Sequence, residues 1–74
     1  MPEIVIYAME GRGHEQKQAL VRDITDACEK HLNTPREAVV IQFVECPSSS
    51  KAKGGVLFSD MTKEDIQRIF NVRE

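Results

Sequence analysis

The sequence predicts an α+β fold, built on a β-α-β unit with parallel main strands and completed by a short extra strand and a C-terminal helix. Residues 3–9 and 38–45 are apolar runs rich in Val and Ile, as expected of strands. A stretch with the apolar spacing of a helix separates them. A helix between two strands returns the chain to the same end of the sheet, so we expect a parallel pair with a right-handed crossover. The 74 residues, 1–74, are expected to form a single domain.

The predicted helix lies between Gly13 and Leu32. Its apolar positions recur at the spacing that lines one helix face: Leu20, Val21, Ile24, Ala27, Cys28, His31 and Leu32. Asn33 is suited to the left-handed conformation that often ends a helix, and Pro35 prevents the helix from continuing.

Three shorter features follow the second strand. Residues 46–55 contain a proline, three serines, two lysines and two adjacent glycines, a composition typical of a loop. Residues 56–58 predict a short third strand. Residues 62–65 predict a helix start with a capping box, and Ile66, Ile69 and Phe70 give that helix its apolar face.

Charge and composition exclude several classes of protein. Ten Lys and Arg against twelve Asp and Glu give a net charge of −2, which argues against a general nucleic-acid binder. No stretch is long enough to span a membrane, and the N-terminus lacks the basic and apolar regions of a signal peptide. Cys28 and Cys46 do not have the spacing of a metal site. We therefore expect a reduced, cytoplasmic protein that binds neither nucleic acid nor membranes.

Both main strands are apolar on both faces. In the first strand, Ile4 and Ile6 point to one face while Val5 points to the other, and the second strand alternates in the same way. One helix can cover only one face, whereas a parallel sheet needs both faces buried. We therefore expect a homo-oligomer that assembles through its sheet. The C-terminal helix is the alternative cover for the second face.

Pro2 is the first candidate for chemistry. It directly follows Met1, and Met before a small residue is the usual context for removal of the initiator. A free Pro2 would be a secondary amine with an ordinary pKa of about 8. Apolar or cationic surroundings lower that pKa. Such an amine suits proton abstraction next to a carbonyl. The alternatives are that Pro2 only opens an edge strand, or that a retained Met1 keeps its nitrogen as a non-basic amide.

A series of short motifs resembles a known family. The series consists of Pro2, Glu-Gly-Arg at 10–12, Glu-Gln-Lys at 15–17, Leu-Asn-Thr-Pro at 32–35, Val-Glu at 44–45 and Gly-Gly at 54–55. In this order, over about residues 2–57, the motifs resemble the 4-oxalocrotonate tautomerase family of the tautomerase superfamily. The resemblance implies trimers or hexamers with active sites at subunit junctions, and neither a metal nor an organic cofactor. It also makes 2–57 the core of the domain and 58–74 a C-terminal extension.

The resemblance implies roles for individual residues. Pro2 matches the family's catalytic proline, which would move a proton on an enol or 2-keto carboxylic acid. Arg12 matches an arginine that binds the substrate carboxylate, a task suited to a planar guanidinium; its alternative is an ordinary exposed loop residue. Val40 stands where the family has a second arginine, which polarises the substrate carbonyl. Lys51 stands where the family has an active-site phenylalanine.

Other residues are candidates for the missing groups. Lys51 or Lys53 is predicted to supply the missing positive charge, and Arg36 is a further candidate. Tyr7 is a candidate hydrogen-bond donor, and Phe58 a candidate apolar wall. Each has an alternative as a surface charge or a packing residue. Since one oxyanion-stabilising donor typically lowers the barrier by a few kcal/mol, replacing it predicts a change of substrate class.

Two other functions stay open on the sequence. A tautomerase fold that has lost catalysis would serve as an oligomeric scaffold. The basic loop at 48–55, with its two glycines, is also compatible with a small anion-binding module whose backbone amides hold phosphate. No Walker spacing or aromatic stacking platform favours a nucleotide or RNA. The first prediction is therefore a tautomerase that acts on a small carboxylate or enol substrate.

Overall fold

The computed structural model describes residues 1–70, with side chains for residues 1–68. Its helices and strands follow in the order β1 (Glu3–Met9), α1 (His14–Leu32), β2 (Val40–Cys46), β3 (Ala52–Lys53), β4 (Val56–Leu57) and α2 (Lys63–Phe70). Single 3-10 turns are formed by Arg36–Ala38, Ser48–Ser50 and Phe58–Asp60. The predicted α+β fold with a β-α-β unit is confirmed.

The main sheet consists of β1 and β2, which pair in parallel from Glu3 opposite Val40 to Met9 opposite Cys46. The bounds of β1 are as predicted, but the prediction that β2 spans 38–45 was wrong at both ends. After Pro35 the chain makes a 3-10 turn, in which the amide of Val39 donates to the carbonyl of Arg36 at 3.1 Å. This turn uses the residues that the apolar pattern had assigned to the strand.

The ends of α1 are held by local contacts. The amide of Gly13 donates to Oε1 of Gln16 at 3.0 Å, which is half of a capping box. At the other end, Asn33 adopts φ 52° and ψ 47°, the left-handed conformation expected of it. The predicted helix is confirmed at both ends.

A small hairpin follows β2. Residues predicted to be a loop include β3, which pairs antiparallel with β4. Gly54 and Gly55 join them with φ of 61° and 84°, the backbone of a two-residue turn that favours glycine at both positions. The predicted third strand ends at Leu57, because Phe58 enters a 3-10 turn and is buried, with 8% of its surface exposed.

The C-terminal helix α2 begins with the predicted capping box. The amide of Asp65 donates to Oγ1 of Thr62, and the amide of Thr62 donates to Oδ2 of Asp65, each at 3.1 Å. Ile66 is half-buried, as its predicted place on the apolar face requires. The side chains of Ile69 and Phe70, which complete the predicted apolar face, lie outside the described residues, as do residues 71–74 of the C-terminal extension.

Helix α1 covers one face of the sheet. The ammonium group of Lys17 lies 5.4 Å from the ring centroid of Phe43 and pairs with the carboxylate of Glu45. The opposite face is open: Tyr7 is 74% exposed and Val44 is 38% exposed. A two-stranded sheet is also narrower than the apolar stripe of α1, since strands lie about 4.8 Å apart. For this reason several apolar residues predicted for the inner face of α1 are exposed, among them Leu20 and Leu32.

The hydrophobic core of one chain is thin. Among residues 1–68, Cys28 and Phe58 are the apolar side chains that count as buried. The accessible surface is 5868 Å² for 8.4 kDa, whereas a compact monomer of this mass has about 4,600 Å². The radius of gyration is 15.6 Å, against about 11 Å for a compact domain of this length. No helix in the described part of the chain is long and apolar enough to cross a membrane.

Candidate active site

Pro2 lies at the start of the main sheet. It is half-buried, and its carbonyl accepts a hydrogen bond from the amide of Val40 at 3.0 Å. The preceding Met1 is exposed. The sheet therefore fixes the backbone of Pro2, while the chain before it lies at the surface.

Arg12 lies beyond the other end of β1. Its Nη1 donates to the carbonyl of Met9 at 3.0 Å, which holds the guanidinium at the end of the strand. It faces a groove of about 420 Å³, whose lining residues are Tyr7, Ala8, Met9, Arg12, Lys51, Phe58 and Ile66. The structure therefore brings together one arginine, one lysine and one phenol against apolar side chains. No carboxylate of residues 1–68 pairs with either cation.

Four sequence candidates meet in this groove. Arg12 was the predicted carboxylate anchor, Lys51 a predicted source of charge, Tyr7 a candidate donor and Phe58 a candidate wall. They come from β1, the loop after it, the segment before β3 and the 3-10 turn after β4. Ile66, from α2, completes the lining; its position on the apolar face of a helix did not indicate contact with a site.

Lys53 lines a different groove. That groove, of about 440 Å³, lies between the hairpin and α2 and is lined by Lys53, Gly54, Val56, Met61, Asp65 and Arg68. Arg68 Nη2 donates to Asp65 Oδ1 at 3.0 Å, so this groove contains an ion pair. The two lysines that the sequence treats alike therefore line different grooves.

The remaining charged candidates are engaged elsewhere. Arg36 Nη1 donates to Oδ1 of Asp26 at 2.6 Å and to Oε1 of Glu29 at 2.5 Å. The hydrogen bonds to Asp26 and then Glu29 raise the pKa of Arg36 above its ordinary value and tie its guanidinium to α1. Glu45 pairs with Lys17 on the face of the sheet that α1 covers. Within the described residues, no three His, Cys, Asp or Glu side chains are grouped so that they could hold a metal ion.

Pro2 and Arg12 lie at opposite ends of β1. The strand has seven residues, and a strand rises about 3.3 Å per residue. Along the strand, Pro2 is therefore about 17 Å from Tyr7, which lines the groove, and about 23 Å from Met9, whose carbonyl holds Arg12. A small substrate cannot contact both in one protomer.

Comparison with known proteins agrees with the fold and the motifs. The profile described as "Tautomerase enzyme" matches residues 2–61. A probable tautomerase of Bradyrhizobium diazoefficiens is 50% identical over 58 residues, which cover 78% of this chain and 87% of that protein. The 2-hydroxymuconate tautomerase of Pseudomonas putida is 36% identical over 55 residues, covering 74% and 87%.

Solved structures give the same result. A 4-oxalocrotonate tautomerase homologue superposes with a TM-score of 0.79 at 37% identity, over 84% of this chain and 98% of the other. A heterohexamer 4-oxalocrotonate tautomerase from Chloroflexus aurantiacus superposes with a TM-score of 0.75 at 27% identity, over 84% and 100%. The β-α-β unit, the motif series and these matches together show that the chain belongs to the tautomerase family.

Proposed function

We propose that the protein is a cytoplasmic, cofactor-independent tautomerase. In this proposal, Pro2, freed of Met1, moves a proton on an enol or 2-keto carboxylic acid. The observation that carries the proposal is that Arg12 and Lys51 line one groove at the end of β1. Two unpaired cations beside apolar side chains suit a small organic anion. The name of the Pseudomonas putida relative, a 2-hydroxymuconate tautomerase, is consistent with an enol acid as substrate.

The proposed proton transfer needs only one amine. The secondary amine of Pro2 accepts the proton of the enol hydroxyl at C2, and a proton is delivered to C3. The O–H bond breaks, a C–H bond forms, and the C2–C3 double bond becomes the C2 carbonyl. Substrate and product are isomers, so no oxidant, reductant or co-reactant is consumed. An amine whose pKa lies near neutrality is suited to both accepting and releasing the proton.

The cations have separate proposed tasks. Arg12 binds the carboxylate through the guanidinium donors that its bond to Met9 leaves available. Lys51 stabilises the negative charge that develops on the C2 oxygen, the task that the missing arginine at the Val40 position would otherwise perform. Lys53 stays a predicted substrate-binding residue, and its place in the other groove makes its expected contribution the smaller one.

The proposed site is shared between copies of the chain. Because β1 separates Pro2 from Arg12, one copy must bring Pro2 to the groove of another. The open face of the sheet supports a homo-oligomer, a trimer or a hexamer, since its apolar side chains have no cover in one chain. The excess surface of roughly 1,200 Å² over a compact monomer exceeds the ~800 Å² that a partner buries in a standard interface.

The first test is an intact mass followed by an enol-ketonisation assay. We expect the mass of the untagged protein to lack one methionine, and Pro2→Ala to abolish most turnover. Pro47→Ala is the matched control, because Pro47 lies in an exposed loop after β2 and its replacement should leave turnover unchanged. A retained Met1, or equal turnover by wild type and Pro2→Ala, would refute the mechanism.

The second test addresses the shared site. Pro2→Ala and Arg12→Ala proteins are each expected to be impaired, Arg12→Ala mainly through a higher KM for carboxylate substrates. Unfolding and refolding them together should yield mixed oligomers in which some sites combine an intact Pro2 with an intact Arg12. Activity should therefore rise above the sum of the two separate variants. Activity equal to that sum would contradict a site built from two copies.

The absence of an arginine at Val40 favours a second candidate function. A tautomerase fold without this cation, and with Met1 retained, would be an oligomeric scaffold. A saturable turnover that requires Pro2 separates the enzyme from the scaffold. Stabilisation by phosphate that does not depend on Pro2 would instead favour an anion-binding module.

A further inference from the structure

Tyr7 joins the open face of the sheet to the groove beside Arg12. Val5 and Tyr7 of β1 and Val44 of β2 are exposed on that face, and Tyr7 pairs with Val44 in the register of the two strands. Tyr7 also lines the groove, unlike Val5 and Val44. The phenol therefore lies where the face that a second copy is expected to cover meets the proposed active site.

The hydroxyl group of Tyr7 is a donor that has no protein partner among residues 1–68 of one chain. A tyrosine hydroxyl that becomes buried usually finds a hydrogen-bond partner, and leaving it unpaired costs free energy. The hydroxyl therefore needs an acceptor once a second copy covers the sheet. The charged side chains of the groove, Arg12 and Lys51, are donors only. An anion bound between them is the acceptor that the groove itself can provide.

The spacing along β1 places this donor next to the proposed carboxylate anchor. The guanidinium of Arg12 is held at the carbonyl of Met9 by a hydrogen bond of 3.0 Å. Tyr7 lies two residues before Met9, which is about 6.6 Å along a strand. In a 2-keto acid, the carboxylate and the C2 oxygen are on adjacent carbons. An acid whose carboxylate binds Arg12 can therefore present its C2 oxygen to the hydroxyl of Tyr7.

We propose that Tyr7 is a further catalytic residue, whose hydroxyl donates a hydrogen bond to the C2 oxygen of the bound acid. The inference rests on the proposed function, in which Lys51 stabilises the charge on the same oxygen. When Pro2 takes the proton of the enol hydroxyl, the C2 oxygen becomes negatively charged and the hydrogen bond from Tyr7 strengthens. The O–H bond of Tyr7 does not break, so the phenol ends the reaction as it began.

Kinetics of Tyr7→Phe, which removes the hydroxyl and keeps the ring, provide the first test. We expect kcat to fall at least roughly tenfold, as for the loss of an oxyanion-stabilising donor, and KM to change little, because the bond is strongest in the transition state. Ser49→Ala is the matched control: it removes an exposed hydroxyl outside the groove and should change neither constant. Sedimentation velocity should show that both variants stay assembled. A wild-type kcat in Tyr7→Phe, or a fall that follows loss of the oligomer, would overturn the inference.

A fluorine label shows the contact without turnover. Tyr7 is the one tyrosine in the chain, so growth on tyrosine fluorinated beside its hydroxyl labels this position alone. Phenylglyoxylate carries the C2 oxygen but cannot enolise, whereas phenylacetate has the same ring and carboxylate without that oxygen. At saturation, we expect phenylglyoxylate to shift the fluorine resonance of the assembled protein clearly more than phenylacetate does. Equal shifts would show that the label does not sense the C2 oxygen, and would overturn the inference.

The same measurements on Pro2→Ala separate this inference from the proposed function. If Pro2→Ala keeps full turnover while the two probes still give different shifts, the proton-transfer mechanism fails and the contact of Tyr7 with the C2 oxygen stands. If Pro2→Ala loses turnover while Tyr7→Phe keeps it and the probes give equal shifts, the mechanism stands and the role of Tyr7 fails.

Discussion

Introducing a charge on the open face of the sheet should dissociate the oligomer. Val44 lies in β2 on that face and is 38% exposed in one chain. Burying a valine side chain completely contributes about 1.5–3 kcal/mol of stabilisation. Covering the part of Val44 that is still exposed therefore stabilises the oligomer by roughly 0.6–1.1 kcal/mol per copy. Val44→Asp removes this gain and places a carboxylate in the interface without a partner, at a cost of several kcal/mol.

The effect is doubled if the interface is symmetric, because each copy then contributes the substituted residue. A total destabilisation of the interface by about 6 kcal/mol raises the dissociation constant of the oligomer roughly ten-thousandfold. Sedimentation velocity and turnover, measured on the same samples, should show that Val44→Asp has lost both the oligomer and the activity. Val44→Ala, which removes packing but adds no charge, should weaken assembly far less.

The control for Val44→Asp is Gln18→Asp, which adds the same charge at an exposed position of α1. It should change neither the mass in solution nor turnover. A Val44→Asp protein that folds and sediments like the wild type would refute assembly through this face of the sheet.

Three further predictions concern stability. A double-mutant cycle of Lys17→Met and Glu45→Gln, followed by urea unfolding, should give a coupling of about 1–2 kcal/mol, because the pair is partly buried; additive effects would contradict the ion pair. Gly54→Ala should lower the free energy of unfolding by about 1–2 kcal/mol through its positive φ alone, since a β-carbon there meets no atom; an unchanged urea midpoint would contradict this. The hydrogen bond from the Thr62 amide lowers the pKa of Asp65 below its ordinary 3.8. The ionised carboxylate therefore stabilises α2 fully above pH 3.8. This stabilisation is lost as the pH falls through the lower pKa that Asp65 has in the folded protein. Helical circular dichroism should follow this loss, and Asp65→Asn should remove it.

Local patterns were sufficient for β1 and α1. The spacing of apolar residues gave α1, and the residue at its end, Asn33, adopts the predicted left-handed conformation. The start of β2 could not be read in the same way. Ala38 and Val39 are as apolar as the strand, and only the turn after Pro35 excludes them from it. The hairpin strand β3 was missed because Ala52–Lys53 is too short to show an alternation.

The groove depended on contacts between distant residues. Arg12 and Lys51 are far apart in sequence, and no pattern indicates that they share one surface. Sequence reasoning treated Lys51 and Lys53 as equivalent, whereas the structure places them in different grooves. Ile66 was predicted as a packing residue. Its contact with the groove follows from where α2 lies, which apolar spacing does not determine.

The length of β1 has a consequence for how activity responds to protein abundance. If one copy supplies Pro2 and another supplies Arg12, a lone chain contains no complete site. Below the dissociation constant of the assembly, the number of complete sites then rises at least with the square of the chain concentration, by mass action. Doubling expression in that range would raise flux at least about fourfold, whereas above it the response becomes linear. The separation of Pro2 and Arg12 along β1 would thereby require a minimum concentration of the protein before the reaction runs efficiently.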